Sequence, residues 1–378
     1  MRRSDGFGAK FRLTTIDQRM KLIFALPGFH RYDRGAEVAL LAVAGELARK
    51  GEEVDVIGSG PSRPDTPYRY IQVPSIRREK FERFPAFPPF RSETAWEDAT
   101  FAFNLLRTVQ VERYDASLTC SFPFTHLALR RSRRKTPAHI FVTQNGDWPA
   151  FSNAMEYRLF SCDGLVCTNP DYLERNELRW PCALIPNGVD LERFTPIGDE
   201  AKRLDLGLPT DQPVILMVSA LIESKRVMDG IRAVAALGHA SLVVAGDGPL
   251  RVEVMRLAER LLPQRFKLVS LASEQMPDLY RCADVFLHLS LLESFGNVFL
   301  EAWASGLPIV GHDSERLRWI LGERHFLCDT TKPRELGAAL TAALDTDRRN
   351  SHDGVERFSW TSIGEKYHEF IRDIIGLR

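Results

Sequence analysis

Long apolar runs are missing from this sequence, and none approaches the roughly 18 residues that a membrane-spanning helix needs. We therefore expect no segment of the chain to cross a bilayer. Net charge is missing as well, because 50 Lys and Arg balance 50 Asp and Glu. A dedicated nucleic-acid binder holds its ligand largely by positive charge, so this balance argues against nucleic acid as a partner.

Cysteines are few and scattered. The six of them, at positions 120, 162, 167, 182, 282 and 328, form no CxxC pair and have no His partner at zinc-site spacing. This pattern fits a reducing cytoplasm. The N-terminus lacks the apolar core and the cleavage site of a secretory signal. We expect residues 1–19 to be a flexible extension of a cytoplasmic protein, with the ordered fold beginning at Met20.

The chain does have the composition of a globular protein, with 44% hydrophobic and 26% charged residues. Its 378 residues predict about two domains. Charge is divided unevenly: residues 1–140 hold 24 Lys and Arg against 16 Asp and Glu, and the remainder carries the opposite imbalance. This basic part favours an anionic ligand or surface, although uneven solvation explains it equally well.

Short apolar segments alternate with amphipathic ones along the chain. KLIFALP and EVDVIG are typical of buried strands, and AEVALLAVAGELARK between them has helical spacing. A second series starts at PVILMVSA and continues through SLVVAG, FKLVSL, DVFLHLS and PIVGH. Such repeats predict the α/β class, with a doubly wound parallel sheet in each of two facing Rossmann-like domains.

A Pro-Asn-Gly turn at 186–188 and the later Pro196 indicate a domain boundary. We place the first domain at 20–192 and the second at 193–355. The amphipathic tail, 356–378, is expected to form helices that pack back on the first domain. Ligands of doubly wound sheets bind outside the carboxyl ends of the strands, so the cleft between the two domains is the expected site.

Two segments have the composition of surface contact sites, but their residues do not identify what they contact. FERFPAFPPF, residues 81–90, combines three prolines with four phenylalanines and has basic residues on both sides. It predicts a loop that either touches a membrane interface or packs on its own domain. RRSRRK at 130–135 predicts either a solvated helix end or a site for phosphate or anionic lipid.

The most informative segment is DVFLHLSLLESFGNVFLEAWASG, which predicts a strand, a loop and a short helix. The backbone N–H groups of residues 295–298 then lie at a helix N-terminus, where they favour phosphate. Glu293 and Glu301 bracket this anion site, and carboxylates accept hydrogen bonds from hydroxyl groups. A nucleotide sugar, with a diphosphate between two hydroxyl-bearing rings, satisfies the whole arrangement.

The segment ESFGNVFLEAWASGLPIV resembles the signature of the retaining glycosyltransferases of family 4, which carry two Glu separated by seven residues. Five other stretches resemble the same family in the same order: GAE at 35–37, IPNGVD at 185–190, SALIESKR at 219–226, AGDGPLR at 245–251 and ADVFLHLS just before the signature. The resemblance covers most of the chain from Met20. It implies the GT-B fold, in which two Rossmann-like domains face each other across a cleft.

The resemblance also implies a role for each matched residue. Glu293 and Lys225 are the implied catalytic pair, with Glu293 against the donor sugar and Lys225 neutralising the leaving diphosphate. Glu301 is implied to hold the ribose hydroxyls. The other implied donor-binding residues are Gly35, Ser219, Arg226, Gly246, Asp247, Gly248, Ser294, Phe295, Gly296, Asn297 and Val298. A plain turn explains the Gly-Asp-Gly sequence at 246–248 equally well.

The chain departs from the family pattern beside the catalytic lysine and in the first loop. Ala220 stands where relatives carry an Arg, five residues before the Lys, and Arg226 replaces the usual following Gly. We expect Arg226 to supply the second positive charge, with a surface Arg as the alternative. Arg34 then Gly35 stands where relatives carry a doubled Gly, which alters the approach to the phosphates.

A His that relatives carry after the strand near 115–121 is also absent, and His126 lies too far along to replace it. We expect Asn145 or Asp147, in TQNGDWP, to make polar contacts on the acceptor side instead. An Asx-capped turn explains this pair equally well.

No metal or other cofactor is expected. The sequence does contain a DxD, Asp345 and Asp347, but these residues end a helical stretch and do not follow a strand into the cleft. Fixed positive groups would do the work that a divalent ion does in metal-dependent transferases.

The predicted function is therefore metal-independent, retaining transfer of a sugar from a UDP-, GDP-, ADP- or dTDP-linked donor to a hydroxyl of a saccharide, lipid-linked or small-molecule acceptor. Peripheral contact of the basic first domain with the inner face of a membrane is part of this prediction. Two alternatives stay open. One is a nucleotide-sugar epimerase on the same fold, and the other is a non-catalytic copy that binds nucleotide sugars.

Overall fold

The computed structural model describes residues 19–131, 136–152, 155–196, 200–291, 293, 295–346 and 353–378. The predicted flexible extension, apart from Arg19, lies outside the described residues. So do Ser294, Asp347 and most of the RRSRRK segment.

The first domain is built on a parallel sheet. In the described residues its strands are β1 (Lys21–Ala25), β2 (Glu53–Gly58), β3 (Arg69–Gln72), β4 (Ala116–Thr119), β5 (Ala138–Val142), β6 (Gly164–Cys167) and β7 (Cys182–Leu184). They lie in the order β3-β2-β1-β4-β5-β6-β7, and neighbouring strands are parallel. The helices are α1 (Gly35–Arg49), α2 (Glu93–Thr108), α3 (Phe124–Arg130), α4 (Trp148–Phe151) and α5 (Pro170–Asn176).

The second domain repeats this plan. Its strands are β8 (Val214–Val218), β9 (Ser241–Ala245), β10 (Phe266–Val269), β11 (Val285–His288), β12 (Ile309–His312) and β13 (Phe326–Cys328), in the order β10-β9-β8-β11-β12-β13. All neighbouring strands are again parallel. The helices are α6 (Glu200–Asp205), α7 (Val227–Leu237), α8 (Arg251–Leu261), α9 (Met276–Arg281), α10 (Asn297–Ala304), α11 (Glu315–Leu321) and α12 (Pro333–Leu344), followed by α13 (Trp360–Gly376).

The strand order places a crevice at the same point of each sheet. The order reverses between β1 and β4 in the first domain and between β8 and β11 in the second. Chain segments leaving two such strands turn to opposite faces of the sheet, which opens a crevice at their carboxyl ends. The predicted class, two doubly wound α/β domains of Rossmann type, is confirmed.

The strands of these sheets form because the sequence supplies continuous apolar runs that can be buried on both faces. Leu22 and Phe24 of β1 contribute to one core cluster and Ile23 and Ala25 to another, because successive side chains point to opposite faces. All four are fully buried. Since helices cover both faces, parallel strands of this kind carry apolar residues at consecutive positions.

The last helix, α13, packs into the core of the first domain. Ile363, Tyr367, Ile371 and Ile374 recur every three or four residues, so they share one face of the helix, and all are buried beside β1 and α1. Burying each Ile contributes about 1.5–3 kcal/mol. The chain therefore crosses to the second domain after β7 and returns to the first at its end.

A close contact between α13 and α1 depends on glycine. A Cβ added at Gly364 would lie 2.6 Å from the Cβ of Glu46 on α1, whereas one added at Gly376, at the end of the same helix, would meet nothing within 4 Å. We expect Gly364→Ala to cost about 1–3 kcal/mol by overpacking. The matched control Gly376→Ala should be neutral or slightly stabilising. Thermal unfolding of the two variants measures the difference, and equal stability would show that the helices are not in tight contact there.

Candidate active site in the interdomain cleft

A cavity of about 1280 Å³ lies between the two domains, at the carboxyl ends of both sheets. The first domain contributes residues from the loops after β1, β4 and β5, and the second contributes residues from the loops after β8, β9 and β11. The two crevices therefore face each other and form one cleft. A site of this size holds a ligand as large as a nucleotide sugar.

Lys225 and Glu293 form an ion pair in this cleft. Lys225 ends a single 3-10 turn after β8, and Glu293 lies in the loop after β11. The Lys225 ammonium donates a hydrogen bond to Oε1 of Glu293, and each side chain is 21% exposed. Because β8 and β11 are neighbours in the sheet, residues 68 positions apart meet at one edge. The two predicted catalytic residues are thus in contact.

His288 is a third member of this cluster that sequence reasoning did not identify. It is the last residue of β11, is buried, and places Nε2 3.3 Å from Oε1 of Glu293. Burial lowers the pKa of His288 to about 4, so the ring is neutral at pH 7. The neutral ring therefore places a polar group beside the Glu293 carboxylate without adding a second cation. The signal in the sequence was a polar residue within the apolar run VFLHL.

The N-terminus of α10 faces the cleft without a cap. Gly296 occupies the N-cap position with φ 86°, in the left-handed region that favours glycine, and no described side chain caps the helix or adds an acid to its first turn. A Cβ on Gly296 would lie 2.7 Å from the ring of Phe299. Asn297 and Val298 line the cavity beside it. Uncapped N–H groups at a helix N-terminus form a site for an anion.

Glu301 lies one turn into α10 and also lines the cleft. The Tyr280 hydroxyl donates a hydrogen bond of 2.7 Å to its Oε2. Burial raises the pKa of Glu301, and the tyrosine hydrogen bond and the nearby Arg193 oppose that rise. Tyr280 thus fixes the orientation of the carboxylate at the cavity wall.

The two domains meet next to the anion site. Asn187 donates a hydrogen bond of 2.7 Å to Oδ1 of Asn297 across the cleft, and is itself bonded to Gln144 of the first domain. A Cβ on Gly35, the first residue of α1, would lie 3.5 Å from Nδ2 of the Asn297 side chain. The first residues of α1 and α10 therefore approach each other from opposite domains.

Comparison with known proteins assigns this chain to a family. The family model for Glycosyltransferase Family 4 matches residues 34–193, and that for Glycosyl transferases group 1 matches residues 198–355. The lipopolysaccharide core biosynthesis glycosyltransferase LpsE of Rhizobium meliloti is 30% identical over 238 residues, which are 61% of this chain and 67% of that protein. The chain belongs to glycosyltransferase family 4. It is a group 1 glycosyltransferase that transfers a sugar from a nucleotide sugar.

More distant relatives match over greater lengths. N-acetyl-alpha-D-glucosaminyl L-malate synthase of Bacillus anthracis is 23% identical over 90% of this chain and 94% of its own length. Among solved structures, sucrose-phosphate synthase of Thermosynechococcus elongatus superposes with a TM-score of 0.72 at 20% identity, covering 95% of this chain and 100% of that one. HepE of Anabaena, solved with UDP-glucose, superposes with a TM-score of 0.71 at 16% identity, over 94% and 100%. The glycosyltransferase fold GT-B is therefore confirmed.

The Gly-Asp-Gly sequence of this glycosyltransferase joins two loops at the cleft. A Cβ on Gly246 would lie 1.9 Å from the carbonyl oxygen of Ser219, and one on Gly248 would lie 2.6 Å from that of Leu221. Both glycines thus permit the loop after β9 to approach the loop after β8. Ser219, Gly246 and Asp247 line the cavity, whereas Gly248 serves the packing of the two loops.

The structure corrects the prediction for Arg226. Its guanidinium donates to Asp229 and to the side chain and carbonyl of Thr330, each at 2.9 Å, and it does not line the cleft. Its φ of 53° is in the left-handed region that favours glycine, the residue that the sequence resemblance implies at this position. The charge of Arg226 is therefore used to hold the loop after β13.

The structure also separates the two predicted acceptor-side residues. Asn145 lines the cleft, as predicted. Asp147 does not, because its buried carboxylate accepts two hydrogen bonds from Arg175, at 2.9 and 3.0 Å, and one from Asn176. Asp147 therefore ties two segments of the first domain together. His126 is fully buried in the same domain and cannot reach the cleft.

Restoring the family glycine tests the role assigned to Arg226. Arg226→Gly removes hydrogen bonds that are worth about 1.5–3 kcal/mol each to a charged group, and a glycine relieves about 1 kcal/mol of left-handed strain. We expect a lower melting temperature and a UDP affinity within about twofold of the unaltered protein, measured by titration calorimetry. A tenfold loss of UDP affinity at unchanged stability would instead place the guanidinium on the diphosphate.

Proposed function

We propose that the protein is a retaining, metal-independent glycosyltransferase that moves a sugar from a UDP-linked donor to a hydroxyl group. The contact that carries the proposal is the pairing of Lys225 with Glu293 beside the uncapped N-terminus of α10. This cluster joins a cation, an anion-binding helix end and a carboxylate in one cleft. UDP is the first nucleotide to test, because HepE of Anabaena was solved with UDP-glucose.

In this proposal the donor diphosphate lies at the N-terminus of α10 and attracts Lys225 away from Glu293. Glu293, still oriented by His288 at 3.3 Å, then accepts a hydrogen bond from a hydroxyl of the donor sugar. As the bond between the sugar carbon and the phosphate oxygen breaks, Lys225 and the helix N–H groups stabilise the charge that develops on the diphosphate. The acceptor hydroxyl attacks the same face, and its proton passes to the departing phosphate oxygen.

Fixed groups support the metal-free part of the proposal. Lys225 and the amides of α10 already supply positive charge where the diphosphate would lie. Among the described residues, no three His, Cys, Asp or Glu side chains are grouped so that they could hold a metal ion. Asp345 of the DxD caps the end of α12 and does not line the cleft.

A donor screen followed by two substitutions tests this function. We expect UDP or a UDP-sugar to raise the melting temperature equally with and without EDTA, since a ligand at 100 times its Kd stabilises by about 2.7 kcal/mol. Lys225→Ala and Glu293→Ala should each lower kcat by about 10²- to 10³-fold. Lys332→Ala, at the start of α12 outside the cleft, is the matched control. Unchanged turnover in both cleft variants, or a shift that EDTA abolishes, would contradict the proposal.

Exposed aromatic rings on the first domain support a peripheral membrane location. In the segment 81–90, Phe90 stacks on Trp96 of α2 with ring centroids 3.9 Å apart, so the segment packs on its own domain. Phe84 and Phe87 nevertheless remain 50% and 45% exposed, among several arginines. No helix in the described part of the chain is long and apolar enough to cross a membrane. We infer that these two rings and the surrounding charge contact an anionic membrane surface.

Sedimentation with phosphatidylglycerol vesicles at low salt tests this contact. We expect the unaltered protein to sediment, and the double variant Phe84→Ser, Phe87→Ser to lose most of that binding, because two half-exposed apolar rings are removed. Leu178→Ser is the control, since Leu178 is 98% exposed near β7, away from this segment. Equal sedimentation of all three proteins would show that Phe84 and Phe87 do not contribute to membrane binding.

A further inference from the structure

A cluster of three aromatic rings lines the cleft on the wall of the first domain. It consists of Phe122, Trp148 and Tyr157, and we call it the aromatic platform. The ring centroid of Trp148 lies 4.8 Å from that of Tyr157 and 6.5 Å from that of Phe122. The three rings come from the loop after β4, from α4 and from the 3-10 turn Met155–Leu159, so the fold brings them together.

Trp148 is the most open member of the platform. It is 39% exposed although its indole is large and apolar, whereas Phe122 and Tyr157 are half-buried. The rings of Phe122 and Tyr157 are inclined to the indole by 84° and 60°, so neither stacks flat on it. The indole N–H donates a hydrogen bond of 3.1 Å to the carbonyl oxygen of Asn145. Trp148 therefore offers the cleft an aromatic surface rather than a hydrogen-bond donor.

The turn before α4 holds this indole in place. Gly146 has a φ of 106°, in the left-handed region that favours glycine, and a Cβ on it would lie 2.9 Å from Cδ1 of Trp148. The next residue, Asp147, is fixed by its hydrogen bonds from Arg175 and Asn176. The indole is thus positioned before any ligand arrives, which lowers the entropic cost of binding on it.

Polar side chains that line the cleft accompany the platform. The Ser121 hydroxyl, next to Phe122 in the chain, donates a hydrogen bond of 2.8 Å to the buried Asp98, so its oxygen keeps lone pairs for a ligand. The amide of Asn145 lies 3.8 Å from Sγ of Cys120, which is a weak acceptor. A ligand on the platform therefore meets an apolar surface together with hydroxyl and amide groups.

The platform is joined to the donor side of the cleft by hydrogen bonds. Gln144 donates to Asn187 at 2.5 Å, and Asn187 donates to Asn297 at the N-terminus of α10. Four residues of chain span at most about 14 Å, so Trp148 stays close to this junction. Its own described hydrogen bond and ring contacts are with the first domain, whereas Lys225 and α10 belong to the second.

A pyranose ring matches this combination of groups. Its C–H bonds form an apolar face, and the electron-rich face of an aromatic ring attracts these C–H groups. Its hydroxyl groups lie around the rim, where serine and asparagine side chains can pair with them. An open-chain polyol has no rigid apolar face, and an acyl chain has no hydroxyl groups. Neither fits the platform as well as a sugar ring does.

We propose that the aromatic platform binds a sugar ring of the acceptor, with Trp148 as the principal contact. This inference rests on the proposed function and narrows it, because the acceptor is then a saccharide. The sugar ring belongs either to a free saccharide or to a glycolipid. Both sources present the same C–H face to the indole.

Saturation-transfer NMR with the UDP-saturated protein tests this site, because UDP then occupies the donor site. The probes are the methyl glycosides of glucose, galactose and mannose in their pyranose forms, with D-glucitol as the open-chain control. Octyl glucoside below its micelle concentration is the lipid-linked probe. We expect saturable transfer to the ring protons of at least one pyranoside and none to D-glucitol.

Substitutions at the platform separate stacking from other binding. Trp148→Ala should weaken pyranoside binding at least about tenfold and leave UDP affinity, measured by titration calorimetry, within about twofold. Trp148→Phe keeps an aromatic face and should retain most of the binding. Phe151→Ala is the matched control, since Phe151 ends the same helix and is 41% exposed but does not line the cleft.

The outcomes distinguish this inference from the proposed function. Binding of a methyl glycoside identifies the sugar ring as sufficient, whereas binding of octyl glucoside alone identifies a glycolipid. Either result supports the platform if Trp148→Ala loses the binding and Phe151→Ala keeps it. Binding of no pyranoside, equal binding of D-glucitol, persistence in Trp148→Ala, equal loss in Phe151→Ala, or a tenfold loss of UDP affinity in Trp148→Ala would overturn the inference and leave the proposed function standing. Failure of the unaltered protein to bind any nucleoside diphosphate would instead count against the proposed function.

Discussion

The convergence of two helix N-termini on one point organises the cleft. The first residues of α1 and α10 approach from opposite domains, and the Asn187–Asn297 hydrogen bond of 2.7 Å joins the domains beside them. Each helix N-terminus carries partial positive charge and N–H groups without an intrahelical partner. No described acidic side chain lies in the first turn of α10, whereas the first turn of α1 holds the buried Glu37. The N-terminus of α10 is therefore the stronger of the two sites for an anion.

Lys225, Glu293 and His288 lie in the same cleft as this positive point. The Lys225 ammonium is paired with the Glu293 carboxylate. His288 is kept neutral by burial and lies 3.3 Å from Oε1 of Glu293, so it adds no second cation beside that carboxylate. On the far side, the Tyr280 hydroxyl donates a hydrogen bond to Glu301. Each of these two carboxylates therefore has a neutral polar side chain beside it.

Two loops of the first domain depart from the pattern that the sequence resemblance implies. The loop before α1 has Arg34 where that pattern has a glycine, and the loop after β4 lacks the histidine of that pattern. Cys120 and Ser121 line the cleft there instead. The second domain carries the ion pair of Lys225 with Glu293 and the uncapped N-terminus of α10, on which the proposed function depends.

The fold and the uncapped helix end in the cleft were largely predictable from the sequence. Apolar runs such as KLIFA and VILMV predict buried parallel strands, and the strand-loop-helix pattern of DVFLHLSLLESFGNVFLEAWASG predicts a helix N-terminus between Glu293 and Glu301. His288 could have been noticed as a polar residue ending an apolar strand, but a buried polar residue is an ambiguous signal on its own. These predictions succeeded because they depend on residues that are close together in the chain.

Only the tertiary structure decided which charged residues face the cleft. Arg226 and Asp147 carry the right chemistry, yet distant residues, Thr330 for one and Arg175 for the other, bind their side chains elsewhere. Arg34 and Arg78 are far apart in the chain and meet on Tyr32 because β1 and β3 lie in the same sheet. A sequence determines the local element and its apolar face. The direction of a long charged side chain depends on which partner the folded chain brings within reach of its charge.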